Sequence, residues 1–267
     1  MTALRLCLLL LAVPAAAQPM RIVSTNPCVD AVLVAVADAR QIAAISHYSK
    51  DAAATSIPLG VAARFAATSG TAEEIVALRP DLVLAGAHEA PATIAALRRM
   101  GVKVQMFGVA DTLAASRAQV LAIAAAAGQR QRGAALVARI DAAVAAARRP
   151  GLAVPALIWQ GDGLVPGAGT LADELLRVAG FRNASADYGL KMWDVLPLEY
   201  LAARPPRVLF ADARNDDRMS RHPILRRLAG RVVMARFHER LISCAGPSIV
   251  PALARLSAAR KRIGAQV

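Results

Sequence analysis

Four histidines, two cysteines beyond the first few residues and a few large aromatics are the side chains of this chain best suited to chemistry. His47, His88, His222 and His238 are widely separated, and no two share a spacing that a helix or turn would convert into a metal site. Each falls in an expected loop, where a surface or capping role is the simpler expectation. No G-x-S-x-G elbow, H-E-x-x-H pair or phosphate-cradling glycine loop occurs. The pairs Gly161/Gly163 and Gly167/Gly169 lack the third glycine and the following acidic residue of a dinucleotide fingerprint. What remains is a sparse set of aromatics at expected loop positions: Tyr48, Phe65, Trp159 and Trp193, in a chain with only 4% aromatic residues. Such faces suit binding of flat or apolar ligands. Trp193, between Met192 and Asp194 and near Lys191, is the strongest binding candidate, whereas Trp159 fits core packing equally well.

The elements that must position these groups follow an alternating grammar. Arg21–Ser24 reads as a strand, Cys28–Ala37 as a helix capped near Asn26, Gln41–Ile45 as a strand, and Thr71–Leu78 as a helix. Strand Asp81–Ala85, helix Pro91–Met100, strand Lys103–Phe107 and helix Asp111–Ala127 continue the pattern. Gln129–Arg149 carries Leu136, Val137, Ile140 and Val144 at helical spacing and stops at Pro150-Gly151. That helix would span roughly 30 Å, the width of a small domain, and reads as a rigid connector. The second half repeats the grammar: strand Val154–Trp159, helices Leu171–Ala179 and Leu198–Ala203, strands Arg207–Ala211 and Arg231–Ala235, and a final helix Ile249–Ile263. Glu73 stands seven residues before Pro80 as Glu199 stands seven before Pro206, with Ile75 and Leu201, and Ala85 and Ala211, in step. Two lobes of related construction, each with a glutamate opening a short helix, explain this match. The fold class expected is α/β, two Rossmann-like lobes joined by one long helix.

Residues 1–17 place Arg5 before the apolar run Leu6–Val13, then Pro14 and Ala15–Ala17, the layout of a cleavable secretory signal. The run is shorter than the roughly 20 residues of a membrane span, and Cys7 sits too deep in it to favour lipid attachment. The expected organisation is a signal (1–17), a first α/β lobe (18–127), a connecting helix (128–150) and a second lobe (151–267), in an exported, monomeric protein that does not span the membrane. Cys28 and Cys244 then remain, 216 residues apart in an oxidising compartment, as a disulfide, free thiols or ligand contacts. The net charge of +13 comes from 32 Lys plus Arg against 19 Asp plus Glu. It is spread over connector and second lobe, without the basic runs interleaved with aromatics that nucleic-acid binding uses, so it reads as a solvated surface.

The segments RIVSTNPCVDAVLVAVADARQIAAISHYS, TAEEIVALRPDLVLAG, GVKVQMFGV, GTLADELLRVAGFRN, WDVLPLEYLAARPPRVLF and CAGPSIVPALARL resemble, in this order, the periplasmic binding proteins of ABC importers for iron chelates and cobalamin. The resemblance implies two lobes on a backbone helix, a metal-chelate ligand (a corrinoid, a ferric siderophore or heme) held between them, and delivery to a permease dimer, with no enzymatic step and no resident cofactor or metal. It further implies that Glu73 and Glu199 dock onto permease arginines and that Tyr48 and Trp193 touch the ligand. Ala67 and Gly86 stand where the cobalamin branch has tryptophans, and Cys244 near an arginine position. His47, His88, Phe65, Trp159, Cys28 and Cys244 are the further candidates for ligand contact. The alternatives are an exported metal-binding enzyme and a sensory receptor on the same fold.

Overall fold

The computed structural model describes residues 19–212, 222–228 and 230–264. The expected signal segment, with Arg5 and Cys7, lies outside them. The first lobe runs β1 (Ile22–Ser24), α1 (Pro27–Val36), β2 (Ile42–Ser46), α2 (Leu59–Ala62), β3 (Ala67–Thr68), α3 (Ala72–Ala77), β4 (Leu82–Gly86), α4 (Pro91–Arg99) and β5 (Val104–Phe107). Its strands form a parallel sheet in the order β3-β2-β1-β4-β5. Helices α5 (Leu113–Ala126) and α6 (Arg130–Ala147) follow. The second lobe runs β6 (Val154–Trp159), β7 (Leu164–Pro166), α7 (Leu171–Val178), β8 (Phe181–Asn183), β9 (Trp193–Val195), α8 (Leu198–Ala203), β10 (Val208–Ala211), α9 (Pro223–Leu228), β11 (Val233–Arg236) and α10 (Ile249–Gly264). Four of these strands make a second parallel sheet, β11-β10-β6-β8, while β7 and β9 form an antiparallel arm.

The central strands are apolar runs because helices cover both faces of a parallel sheet. Val83, Leu84 and Ala85 of β4 and Val208, Leu209 and Phe210 of β10 are all buried. Helix starts carry their expected caps: the Asn26 side chain accepts from the Cys28 and Val29 amides, and Thr71, Thr112 and Thr170 each accept from an amide three residues on. In α6, Leu136, Ile140, Val144 and Ala147 form one buried stripe that packs against α5, α10 and α1. The helix ends at Ala147, two residues earlier than the spacing suggests, because Pro150 disfavours helical conformation just before it.

The internal repeat has a structural counterpart. Helix α8 begins at Leu198 where α3 begins at Ala72, and β10 begins at Val208 where β4 begins at Leu82, the same offset both times. Each glutamate is the second residue of its helix. Strand β1 pairs with β4 as β6 pairs with β10.

One buried apolar cluster extends through both halves, from Ile22, Val32 and Leu84 through Ile123, Leu136 and Ile140 to Leu253, Phe181, Phe210 and Phe237. The last three stack edge to face, with ring centroids 5.2 and 5.8 Å apart. Because the lobes share this core, moving one against the other would expose apolar surface, which favours a small hinge amplitude. The short strands β3, β7, β8 and β9 have no counterpart in the sequence reading, and β9 is the one with consequence: Trp193 sits on it rather than in a loop. Two- and three-residue strands are too short to show alternation.

Candidate functional site

The C-terminal ends of the two parallel sheets face each other, the usual place for a ligand in such sheets. The first lobe contributes the residues after β1 (Asn26, Cys28), β2 (His47, Tyr48), β4 (Ala87, His88) and β5 (Gly108 to Asp111). From the second come those after β6 (Gln160), β10 (Asp212) and β11 (His238, Glu239). Two openings lie here. The larger, about 530 Å3, has Thr55, Ile57 and Leu59 on one side and Asp212, His238 and Glu239 on the other. A narrower one of about 120 Å3 is lined by Asn26, His88, Phe107, Trp193 and both cysteines. Between the lobes run hydrogen bonds from Ser56 Oγ to the Arg240 carbonyl (2.6 Å), from the Leu113 amide to Glu174 Oε2 (2.7 Å) and from the Gly246 amide to Ser116 Oγ (3.0 Å).

Cys28 and Cys244 are joined in a disulfide with Cα atoms 5.0 Å apart, so of the three open possibilities for them the structure holds the cross-link. It ties the N-terminal turn of α1 to the segment before α10. Trp193 reaches the narrow opening with 39% of its surface still exposed. Its strand is placed by the pairing of Pro166 with Trp193 and by close backbone approach: a Cβ on Gly167 would stand 2.5 Å from the Met192 carbonyl oxygen. Gly167→Ala therefore pushes β9 outward, and weaker ligand-induced quenching of tryptophan fluorescence is the expected result.

His47 and Tyr48 form a ring pair with centroids 4.0 Å apart on the turn that ends β2, both exposed. They line neither opening but stand on the strand-end surface that supplies both, and the wall of the larger one, from Ala52 to Leu59, follows directly in sequence. His47 Nδ1 is 3.2 Å from the Thr68 carbonyl. Of the remaining candidates, His88 is exposed in the narrow opening. Trp159 is 1% exposed and belongs to the core of the second lobe, and Phe65 is half-buried against the first-lobe core; neither is brought to the openings. His222 accepts a hydrogen bond from the Ile224 amide at the start of α9. A Cβ at Gly86 would lie 2.4 Å from Asn26 Nδ2, so a side chain there would have to displace the side chain that caps α1. Among the described residues no three His, Cys, Asp or Glu side chains gather as a metal site.

Two further residues belong to the site: His238, for which the sequence reading expected a surface or capping role, and Asp212, which it did not single out. His238 Nδ1 is hydrogen bonded to Asp212 Oδ2, and both face the larger opening. Their signal was positional: each comes directly or almost directly after a short apolar strand, VLFA or VMAR. Glu239 Oε1 accepts from the Gly161 amide at 2.6 Å.

Glu73 and Glu199 are both exposed, each in the first turn of its helix. The neighbouring Glu74, also exposed, is bound to the segment before α3: its Oε2 accepts from the Ser69 amide (2.7 Å) and Thr68 Oγ1 (2.9 Å), and these bonds hold its carboxyl below the usual range. Glu74 thus secures the start of α3, and Glu73 stands exposed beside it.

Beneath the His47–Tyr48 turn lies Asp30 of α1, fully buried. Burial pushes its carboxyl from 3.8 up to about 7, against the opposing hydrogen bonds of Ser49 and Ser46. An acid whose folded pKa is raised stabilises the fold less as pH rises from its unfolded to its folded value. Stability should therefore fall by a few kcal/mol, in order of magnitude, between about pH 4 and pH 7. In Asp30→Asn that slope should be lost, which denaturant titration at several pH values reads directly.

A family model described as "periplasmic binding protein" matches residues 22–230. Among solved structures, the periplasmic heme-binding protein of Roseiflexus sp. RS-1 in apo form is 22% identical with a TM-score of 0.70, over 91% of this chain and 99% of that one. The periplasmic heme-binding protein BhuT in complex with two hemes is 25% identical with a TM-score of 0.70, over 90% and 98%. The periplasmic vitamin B12 binding protein of Vibrio cholerae is 17% identical with a TM-score of 0.69, over 92% and 98%. No curated protein matches by sequence.

Proposed function

Because this chain belongs to the periplasmic binding protein family, a family of receptors and not of enzymes, we propose that it captures a metal chelate, heme before other tetrapyrroles, and delivers it to an ABC importer. The observation that carries the reading is the meeting of two strand-end surfaces that bear Tyr48, Trp193 and the imidazoles of His47, His88 and His238. Aromatic faces suit a flat macrocycle, and imidazole suits iron. The hydrogen bond that His238 Nδ1 makes to Asp212 orients the His238 ring, as carboxylates do for metal-binding imidazoles. Heme is favoured by the ligands named for the similar structures, and a corrin is disfavoured by Ala67 and Gly86, which stand where the cobalamin branch has tryptophans. Residues 1–17 act as the export signal, and no described helix is long and apolar enough to cross a membrane.

Trp159 is sealed in the core and Trp193 is partly exposed, so a bound chromophore quenches both by energy transfer and only Trp193 by direct contact. Titration with hemin, cyanocobalamin, dicyanocobinamide and several ferric siderophores should give saturable quenching with hemin. Silence with all of them would remove the substrate class. Tyr48→Ala and Trp193→Ala should each weaken binding by about tenfold, the worth of one aromatic contact. Separate His88→Ala, His238→Ala and Tyr48→Phe variants would reveal by a shifted Soret band which side chain reaches the iron.

A further inference from the structure

The turn that carries His47 and Tyr48 is built around one buried carboxylate. Asp30 Oδ2 accepts from the Ser46 amide at 2.9 Å and from Ser49 Oγ at 2.6 Å, the residues immediately before and after the exposed ring pair. Its other oxygen, Oδ1, is buried without a hydrogen-bond partner. A solvent-shielded acid with half its capacity unused is costly to keep if stability alone is served. The other restraints on the turn come from its own lobe edge: Ser46 pairs with Thr68 of β3, His47 Nδ1 lies 3.2 Å from the Thr68 carbonyl, Ser46 Oγ accepts from the Tyr48 amide at 3.3 Å, and Lys50 Nζ donates to the Ala62 and Phe65 carbonyls. Among the described residues, only the Asp30 bonds tie both ends of the pair to a helix of the core.

We propose that Asp30 is the positioning residue of the ligand surface, fixing the His47–Tyr48 pair against α1 in the orientation that meets the ligand. The proposal rests on the reading that this pair touches a metal chelate, and it adds a residue that never reaches the ligand itself. Because α1 carries Cys28 two residues earlier and Asp30 here, the same helix end is anchored to the second lobe and holds the turn. The ring pair is thereby located relative to both lobes.

Hydrogen–deuterium exchange on the ligand-free protein, with hemin and cyanocobalamin titrations, tests this. Asp30→Ala should speed exchange of the amides of residues 46–51 on the order of tenfold, more than elsewhere, and weaken hemin binding by about tenfold. Asp30→Asn, whose amide oxygen can accept the same two bonds, should restore most of both. Where Asp30→Ala does not fold, Ser49→Ala removes one of the two bonds and should show the same localised exchange at smaller size. Unchanged exchange at 46–51 in a folded variant overturns the proposal, whatever the ligand. Faster exchange with unaltered binding also overturns it, and Tyr48→Ala then separates the causes. If Tyr48→Ala still weakens binding, only the positioning role fails; if it does not, the placement of the ligand fails too.

Discussion

Replacing Glu73 and Glu199 together by alanine should abolish ligand uptake through the partner importer while leaving hemin affinity of the purified protein unchanged within about twofold. Both carboxylates are exposed and distant from the bonds that build their helices, since Glu74 serves α3 and Pro197 precedes α8 without a side-chain cap. They occupy corresponding positions in two lobes whose separation is fixed by a shared core. A partner with two cationic groups at the matching distance would meet both at once. Charge-assisted hydrogen bonds contribute about 1.5–3 kcal/mol each. Losing both then weakens docking on the order of a hundredfold or more, and either single substitution gives an intermediate loss. Uptake assays with the importer, beside fluorescence titration of the same variants, separate docking from capture. Undiminished uptake in the double variant would show that neither residue meets the permease. Glu74→Ala is the contrasting control: it should lower stability by loosening the start of α3 and affect docking only through that.

The second large effect concerns the disulfide. In the chain-entropy description, a cross-link closing a loop as long as that between Cys28 and Cys244 stabilises by about 5 kcal/mol, an upper figure because denatured chains retain structure. For a protein of this size that corresponds to a fall in Tm of roughly 10–20 °C on replacing both cysteines by alanine. Differential scanning calorimetry with and without reductant checks this, and a drop of only a degree or two would contradict it. Ligand affinity should fall as well, since Cys28 and Cys244 line the narrow opening and Asp30 of α1 holds the turn with His47 and Tyr48.

The lobes, their parallel sheets and the long helix were legible in the sequence because each rests on periodicity sustained over many residues, as with Leu136, Ile140 and Val144 on α6. The glutamate repeat was legible for a related reason: Pro80 and Pro206 mark the same turn in both lobes, so a shift of either helix would have broken the match. The arm of β7 and β9 was not legible. It depends on Gly167 lying against the backbone of Met192, a contact between residues that no local pattern links. Trp159 illustrates the limit for site residues. As the last residue of a buried strand it could have faced either side, and the register of β6 against β10, Trp159 opposite Ala211, accompanies its burial in the core. Asp30 escaped notice because a lone acid in the run Val29 to Val36 reads as a first-turn helix residue favoured by the dipole. Only the fold brings Ser46 and Ser49 over it.

Between Cys28 and Cys244 the main chain and the disulfide together make a covalent ring that passes through both sheets and α6. A single cut at any peptide bond inside that ring opens it without dividing the molecule. A protease nick there would run as one full-length band until a reductant is added and as two afterwards. In a compartment populated by proteases, a receptor built this way can suffer one break in its backbone and still present both faces of its cleft.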